Sequence, residues 1–512
     1  TGIKFAGGFN LGWDGTSAGG SSDITLIADS MSFANGFTVK TTGALVVESY
    51  NDSFSAALNW PPSNLNIGST LGSLRIGKAT NTADITIGST QTVSGPISVY
   101  GGNITIDAGL TATDSTITLE GSGNVTDGAS GFVSASSLLL SGGAVTLDSA
   151  SNAIGTLAAS GVSSLTYVDS NALNIGRVAS TDGVSASGVV SVATLTGDLT
   201  VSQDVSTTST NATAAIILNA GKSASAGTST GGNLILSGSP SVSVGSGGRA
   251  VLLSGSVSGS TGLTDLVGSG SGRFRYNSDE VAPNYTTALG SGLYAIYREQ
   301  PTANITDMTL TMTYGDALPT ITATGAVNGD GAGYSISSAA YSSANKLKAS
   351  STAYTITSDL AALGYAVTGV SSGTLTVNTK ALNASGLTAE DKTYDALLTA
   401  NLTGTAVVNG AGSASDDGLY LTGDTVSVTG TAVGAFADKN VGDGKAITVT
   451  GVTISGTDAG NYNLIQQTGL TANITKADLT VTGLSASNKV YDAGTVATLS
   501  GSAAVTALGS DQ

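Results

Sequence analysis

Two stretches decide how this chain folds: Ile97-Ser-Val-Tyr-Gly-Gly-Asn-Ile-Thr-Ile-Asp107, and Leu138-Leu-Leu-Ser-Gly-Gly-Ala-Val-Thr-Leu-Asp148. Each is a short alternating run, a Gly-Gly corner and a second alternating run. Alternation with period two marks a strand with one buried face, and small corner residues supply the tight turns between strands. Leu165-Thr-Tyr-Val-Asp-Ser-Asn-Ala-Leu-Asn-Ile175 and Val190-Ser-Val-Ala-Thr-Leu-Thr-Gly-Asp-Leu-Thr-Val201 repeat the theme. A sandwich or barrel would use two-residue hairpin loops and a wide, aromatic core. Here aromatics make up 5% of the residues, and similar strand pairs recur every ~20–40 residues, as stacked coils do. The reading for residues 1–271 is a right-handed parallel β-helix, a solenoid whose narrow core Val, Ile, Leu and Ala can fill. At roughly 20 residues and ~4.8 Å per coil, it would form a shaft on the order of 60 Å long.

Composition supports an ordered all-β chain. There are 512 residues with 71 glycines and 7 prolines; 40% are hydrophobic and 10% charged. No apolar run approaches the ~18 residues that span a bilayer as a helix. The longest runs, such as Ala214-Ala-Ile-Ile-Leu218, have strand length. The hydrophobic fraction is large enough to offset the entropy of ordering a Gly/Ser-rich backbone. A net charge of −17 argues against nucleic acid as a partner. The chain lacks cysteine and histidine, which removes disulfides, thiolate and imidazole metal sites, and the Ser-His-Asp triad.

The texture changes at Gly272-Arg-Phe-Arg-Tyr276, followed by Tyr294, Tyr297, Arg298 and Glu299. This density of aromatic and charged residues reads as a cap and linker over residues 272–300, covering the open end of the coils. A second kind of repeat follows. Gly386-Leu-Thr-Ala-Glu-Asp-Lys-Thr-Tyr-Asp395 returns 97 residues later as Gly483-Leu-Ser-Ala-Ser-Asn-Lys-Val-Tyr-Asp492. A unit of that length is a small domain. The expected domains are 301–379, 380–476, and the start of another copy at 477–512 that cannot complete a fold by itself.

Lys392-Thr-Tyr-Asp395 and Lys489-Val-Tyr-Asp492 resemble the signature of YDG domains. Ala435-Phe-Ala-Asp-Lys-Asn-Val-Gly-Asp-Gly-Lys-Ala-Ile-Thr-Val-Thr450 and Asp458-Ala-Gly-Asn-Tyr-Asn-Leu464 resemble later parts of that domain, and put Asn461 and Tyr462 among its motif residues. Ala396 and Ala493 stand where the family usually has Gly, so a less tight turn is expected there. Met312-Thr-Tyr-Gly-Asp-Ala-Leu-Pro319, with Tyr314, Gly315 and Asp316, resembles the start of the related MBG domain, whose closing Asn-Tyr is here Gly364-Tyr365. Residues 1–271 are similar to the β-helices of filamentous haemagglutinin-like adhesins. The resemblance implies small tandem β-sandwich-like, Gly-rich domains after the shaft. It further implies an extracellular adhesin or biofilm-matrix protein at the bacterial cell surface or in secreted matrix. Such a protein would contact surface or matrix polysaccharide, or a host or neighbouring cell. It would leave the cell through an outer-membrane secretion partner, by a two-partner or autotransporter-type route. The usual N-terminal secretion domain is not recognisable, and the chain opens inside patterned sequence, as a processed or truncated piece would.

Repetition of Lys-x-Tyr-Asp in tandem argues for a structural role of Lys392, Tyr394, Asp395, Lys489, Tyr491 and Asp492. No catalytic residue is assigned and no cofactor is called for. Gly268-Ser-Gly-Ser-Gly-Arg273 mimics phosphate-loop spacing, yet no helical pattern follows it. Asp107, Asp148 and Asp169 end or interrupt strands. They read as turn residues rather than as the paired acids of a β-helical polysaccharide-degrading enzyme or phage tail spike, which is the enzymatic alternative. Asp416, Asp417, Asp438 and Asp443 are the candidates for calcium, with plain solvation preferred. Trp13, Trp60 and Tyr100 could stack on sugars, with packing preferred. Asn103, Asn124, Asn211, Asn284, Asn304 and Asn473 stand in glycan-acceptor triplets, expected by chance in such a composition. Self-association into a surface filament is a third reading.

Overall fold

The computed structural model describes residues 3–5, 10–11, 21–33, 37–68, 71–413, 416–509 and 511. Among them, helix is limited to the short pieces Leu263–Val267, Leu360–Leu363 and Ala459–Asn461. The chain divides into two compact units: residues 1–306, 322–333 and 359–369 in the first; residues 307–321, 334–358 and 370–512 in the second.

The first unit is built on parallel sheets whose strands come from successive coils. An eleven-stranded sheet runs from Leu58–Trp60 through Ile85–Ile87, Ile104–Ile106, Val125–Asp127, Ala144–Leu147, Ser164–Asp169, Val190–Thr194, Ile216–Asn219 and Arg249–Ser254 to Gly292–Tyr297 and Phe274–Arg275. Ile85, Ile104, Val125, Val145 and Leu165 lie opposite one another at intervals of 19, 21, 20 and 20 residues. The intervals then widen to 25, 26 and 34 residues at Val190, Ile216 and Ala250. The added residues bulge outside the strands; one bulge is the small antiparallel pair Arg177–Val178 with Thr181–Asp182. Eleven strands spaced by about 4.8 Å stack to roughly 50 Å.

A fourteen-stranded sheet covers the remaining sides. Its strand Gly109–Gly121 pairs through Leu110–Ala112 with Gln91–Val93, and through Ile117–Gly121 with Ile97–Gly101. Between these halves the register shifts, and Asp114 takes a left-handed φ of 50°. One coil therefore supplies three strand segments, here Ile104–Ile106, Leu110–Ala112 and Ile117–Leu119. Ile104, Ile106, Leu110, Ala112, Ile117 and Leu119 are all buried. Thr105, Thr111 and Thr118, which alternate with them, are partly exposed. This is the period-two pattern read from the sequence, and the strands Ile85–Ile87 and Ala144–Leu147 repeat it.

Corners need donors and acceptors that the ladders do not supply. Asn103 donates its backbone N–H to Asp84 Oδ1 at 2.7 Å, Asn124 to Asn103 Oδ1 at 2.9 Å, and Ala144 to Asn124 Oδ1 at 3.2 Å. Each side chain thus reaches one coil onward. At the next level of the stack Gly142 adopts φ 119°, and a Cβ there would lie 1.6 Å from the Gly121 carbonyl oxygen. Only glycine lets the coils approach so closely at that corner.

The stack ends in large side chains. Phe274, Arg275, Tyr276, Tyr297 and Arg298 are all buried. Arg275 donates to the carbonyls of Gly272, Phe274, Thr287 and Ala288, and Arg298 to that of Gly232 at 2.7 Å. Burial pulls both guanidinium pKa values down.

The strands of segment 301–379 are shared between the two units. Thr302–Ile305, Ala323–Thr324 and Ala366–Gly369 form a sheet in the first unit. Thr309–Thr313, Ser372–Asn378, Tyr354–Ser358 and Tyr334–Ile336 form one in the second. Also in the second unit, a three-stranded sheet (Leu402–Val408, Lys380–Ala389, Tyr462–Ile465) faces a five-stranded one. The five strands are Lys392–Thr393, Thr471–Thr475, Gly442–Ser455, Ser427–Phe436 and Thr399–Ala400. Ala384 and Leu387 of the first sheet pack on Val449 and Val452 of the second, as in a small sandwich. Phe436, Ile447, Ala472 and Ile474 continue the core.

Leu119 pairs in register with Val99 and Leu140 and is fully buried. Leu119→Ala should destabilise the coils by about 2–5 kcal/mol in urea unfolding. Its exposed neighbour Glu120→Ala should stay within about 0.5 kcal/mol.

Candidate functional site

The repeated signature forms a closed turn. Lys392 and Thr393 pair in parallel with Ile474 and Thr475, which places Lys392 at the sheet edge. Its ammonium donates to Asp395 Oδ1 at 2.7 Å and to the carbonyls of Leu397 at 2.7 Å and Thr399 at 3.0 Å. It also sits 5.5 Å from the centre of the Phe436 ring. Asp395 Oδ1 accepts the Leu397 N–H as well, at 2.9 Å. With Lys392 donating to it, the Asp395 carboxyl is held below the usual carboxylate range. Tyr394 packs on the Phe436 and Ile447 cluster, and its hydroxyl donates to Asp511, whose carboxylate also takes Lys439. The second copy repeats the turn: Lys489 donates to Asp492 at 2.7 Å and to the Gly494 carbonyl at 2.8 Å. Tyr491 is 90% exposed.

The expectation of a slackened turn at Ala396 and Ala493 is corrected. Both alanines take the left-handed conformation, with φ of 68° and 55°, and both turns close on their aspartates. Alanine keeps the turn and carries its strain, because Cβ crowds the backbone in this region.

Tyr314 and Tyr462, 148 positions apart in the sequence, meet in a buried cluster. Their rings cross edge to face with centroids 5.4 Å apart. Both hydroxyls donate to Asp424 Oδ2, at 2.6 Å from Tyr314 and 2.5 Å from Tyr462. Burial pushes both phenols well above their ordinary pKa. Gly315 supplies the φ of 99° that turns the chain after Tyr314, and Asp316 caps that turn by accepting the Thr313 N–H at 3.0 Å. Asn461 Oδ1 accepts the Ala349 N–H at 3.0 Å. Asp458 accepts from Thr425 N–H and Ser343 N–H, with the Lys348 ammonium 3.9 Å away. Burial opposes its charge, but these donors hold its carboxyl below the usual range.

Asp424 was not singled out from the sequence, although it takes a hydroxyl from both motif tyrosines. The buried Arg275 and Arg298 lay within the cap reading without individual roles. A groove of about 530 Å³ lined by Lys222, Ala226, Asp279, Glu280 and Asn284 was also missed. It is formed by loops, which leave no period in the sequence.

The remaining candidates are dispersed. Lys380 donates to Asp417 and Lys445 to Asp438, both at 2.5 Å, so a lysine already neutralises each of these carboxylates. Asp416 and Asp443 are exposed. Among the described residues, no group of three or more acidic side chains is gathered as a metal site. Trp60 is fully buried in the core and faces no sugar; Tyr100 is partly exposed; Trp13 lies outside the described residues. Asp169 is the buried last residue of the strand Ser164–Asp169, accepting from Ile154 N–H, Tyr167 O–H and Asn171 N–H at 2.8–2.9 Å. Burial raises its carboxyl pKa. Asp107 and Asp148 are exposed and lie on different coils. The amides of Asn103, Asn284 and Asn473 donate to Asp84, the Asn277 carbonyl and Asp391.

Residues 378–469 match the YDG domain family. No curated protein and no solved structure matches the chain.

Lys392→Met should cost about 1–3 kcal/mol in chemical unfolding, since it strips three acceptors of a charged donor. Ala396→Gly should stabilise the same turn by up to about 1 kcal/mol. Asp395 and Asp458 carry depressed folded-state pKa values. Their stabilisation is present above the unfolded carboxyl value of about 4 and is lost as pH falls through the folded value. The unfolding midpoint should therefore drop with acid below about pH 4, and Asp458→Asn should make that drop shallower.

Proposed function

We propose that this chain is a section of an extracellular bacterial adhesin or biofilm-matrix protein that acts as an elongated scaffold and not as an enzyme. The observation that carries the reading is the YDG domain match at residues 378–469 on a chain whose preceding part is a stacked-coil solenoid. A solenoid of this kind spends its apolar residues on its own core. It leaves an outer surface of Ser, Thr, Asn and Asp, suited to many weak polar contacts with polysaccharide. Weak contacts held along one scaffold add through effective concentration, so attachment needs no deep pocket. The shaft is of the haemagglutinin-adhesin type, segment 301–379 plays the part of an MBG-like domain, and export uses an outer-membrane partner. The acidic surface, at net charge −17, keeps neighbouring copies apart unless a ligand bridges them.

Binding of the purified chain to surface-immobilised bacterial polysaccharides tests this reading. Retention should be multivalent, and should weaken at least about tenfold when coating density is cut so that only one contact forms. Release of reducing ends from the same polysaccharides, or retention on none of them and on no cell surface, would overturn it.

A further inference from the structure

Three aspartates share one local arrangement. Asp330, Asp424 and Asp511 each donate their own N–H to the carbonyl three residues back: Val327 at 3.0 Å, Leu421 at 3.1 Å and Leu508 at 3.2 Å. Each carboxylate then takes the hydroxyl of a tyrosine from an earlier stretch of chain. Tyr276 donates to Asp330 at 2.7 Å, Tyr314 to Asp424 at 2.6 Å, and Tyr394 to Asp511. In the first two, a second tyrosine that follows the aspartate completes the site on the same oxygen: Tyr365 at 3.0 Å and Tyr462 at 2.5 Å.

Two pairs of these tyrosines are equivalent in topology as well as in chemistry, while Tyr276 follows Phe274–Arg275 and donates its N–H to the Leu363 carbonyl. Tyr365 and Tyr462 each enter a strand, Ala366–Gly369 or Tyr462–Ile465, that pairs in parallel with Thr302–Ile305 or Lys380–Asn383. Tyr314 and Tyr394 each follow a strand that pairs in parallel with Ser372–Asn378 or Thr471–Thr475. Their N–H groups donate to the last paired residues, Asn378 at 2.8 Å and Thr475 at 2.9 Å. A buried carboxylate with no donors is costly, so two hydroxyls converging on one oxygen select a particular pair of segments.

Tyr491 is the next position in this series. It stands 97 residues after Tyr394, in a turn closed by the same Lys–Asp pair and the same left-handed alanine. Its hydroxyl makes no hydrogen bond among the described residues. Leu484, the counterpart of buried Leu387 in this repeat, is 43% exposed.

We propose that Tyr276, Tyr314, Tyr394 and Tyr491 are successive halves of one repeated clasp, each gripping the aspartate turn of the segment that follows, and that Tyr491 is a docking point for the aspartate turn of a further YDG-type segment. The occupant is set by the three filled examples: a carboxylate on an i-to-i−3 turn, not a sugar or a metal. The clasp is independent of whatever surface the chain binds.

Tyrosine nitration by tetranitromethane, mapped by peptide mass spectrometry on the full chain, reads each clasp separately. Tyr491 should react at least about tenfold faster than Tyr276 or Tyr314. Asp424→Ala should release Tyr314 and Tyr462 by about tenfold while Tyr276 and Tyr365 stay protected, and Asp330→Ala should do the converse. Replacing Gln512 by a second copy of residues 425–511 carries a new aspartate turn to the position after Tyr491. Nitration of Tyr491 should then slow about tenfold, and Asp511→Ala in the appended copy should restore it. Unchanged Tyr314 reactivity in Asp424→Ala would overturn the clasp. Unchanged Tyr491 reactivity, in a lengthened chain whose appended strands show slowed amide exchange, would overturn the docking point. Should the appended strands exchange freely, Asp511→Ala in the original chain decides: release of Tyr394 supports the series, and no change ends it.

Discussion

Backbone hydrogen bonding between residues about 20 positions apart is the constraint on which the solenoid depends. Each strand finds its partners on the coil before and the coil after, so every coil must present its apolar residues at the same height and on the same side. The column Ile85, Ile104, Val125, Val145 and Leu165 meets that demand. A slip of one residue would turn a whole strand's apolar set outward, which is why length changes collect in loops. The widening from 20 to 34 residues between aligned positions leaves the inward column intact as far as Ala250.

The polar corners follow from the same constraint. Where a ladder stops, the backbone N–H groups of the next coil still need acceptors. Asp84, Asn103 and Asn124 provide them with side-chain oxygens, one level at a time. The fully buried Asp169 instead accepts from the Ile154 N–H fifteen positions earlier, from the Asn171 N–H and from the Tyr167 hydroxyl. At the last level, Arg275 and Arg298 turn the requirement round, filling the end of the stack with donors for backbone carbonyls.

Beyond residue 300 the long parallel ladders give way to several short sheets, with tyrosine hydroxyls converging on buried aspartates beside them. The YDG-type segment has a two-sheet core, and its signature Lys392 and Asp395 serve the turn that sets Tyr394 in place. The tyrosine hydroxyls at Asp330 and Asp424 come from stretches of chain 35 to 110 positions away.

Strand alternation, Gly/Asn/Asp corners and the 97-residue repeat were legible because they are local or periodic. They sufficed for an all-β chain with a parallel solenoid and a YDG-type segment. For Lys392, Asp395, Lys489 and Asp492 the repeated motif pointed only to a structural role; the turns they close, with partners a few positions away, emerged from the structure. Asp424 and Asp330 were not legible. Their partners lie between 35 and 110 positions away, and a lone aspartate in a Gly-rich loop looks like any solvated turn. The division of segment 301–379 between two units was also out of reach, because its first and last strands bring together ends that are distant in sequence. The sequence by itself determined which residues face inward and where turns fall, through the two-residue period and the backbone demands of its corners. Only the tertiary structure decided which buried oxygens meet which hydroxyls, because those pairings depend on how separate segments close on one another.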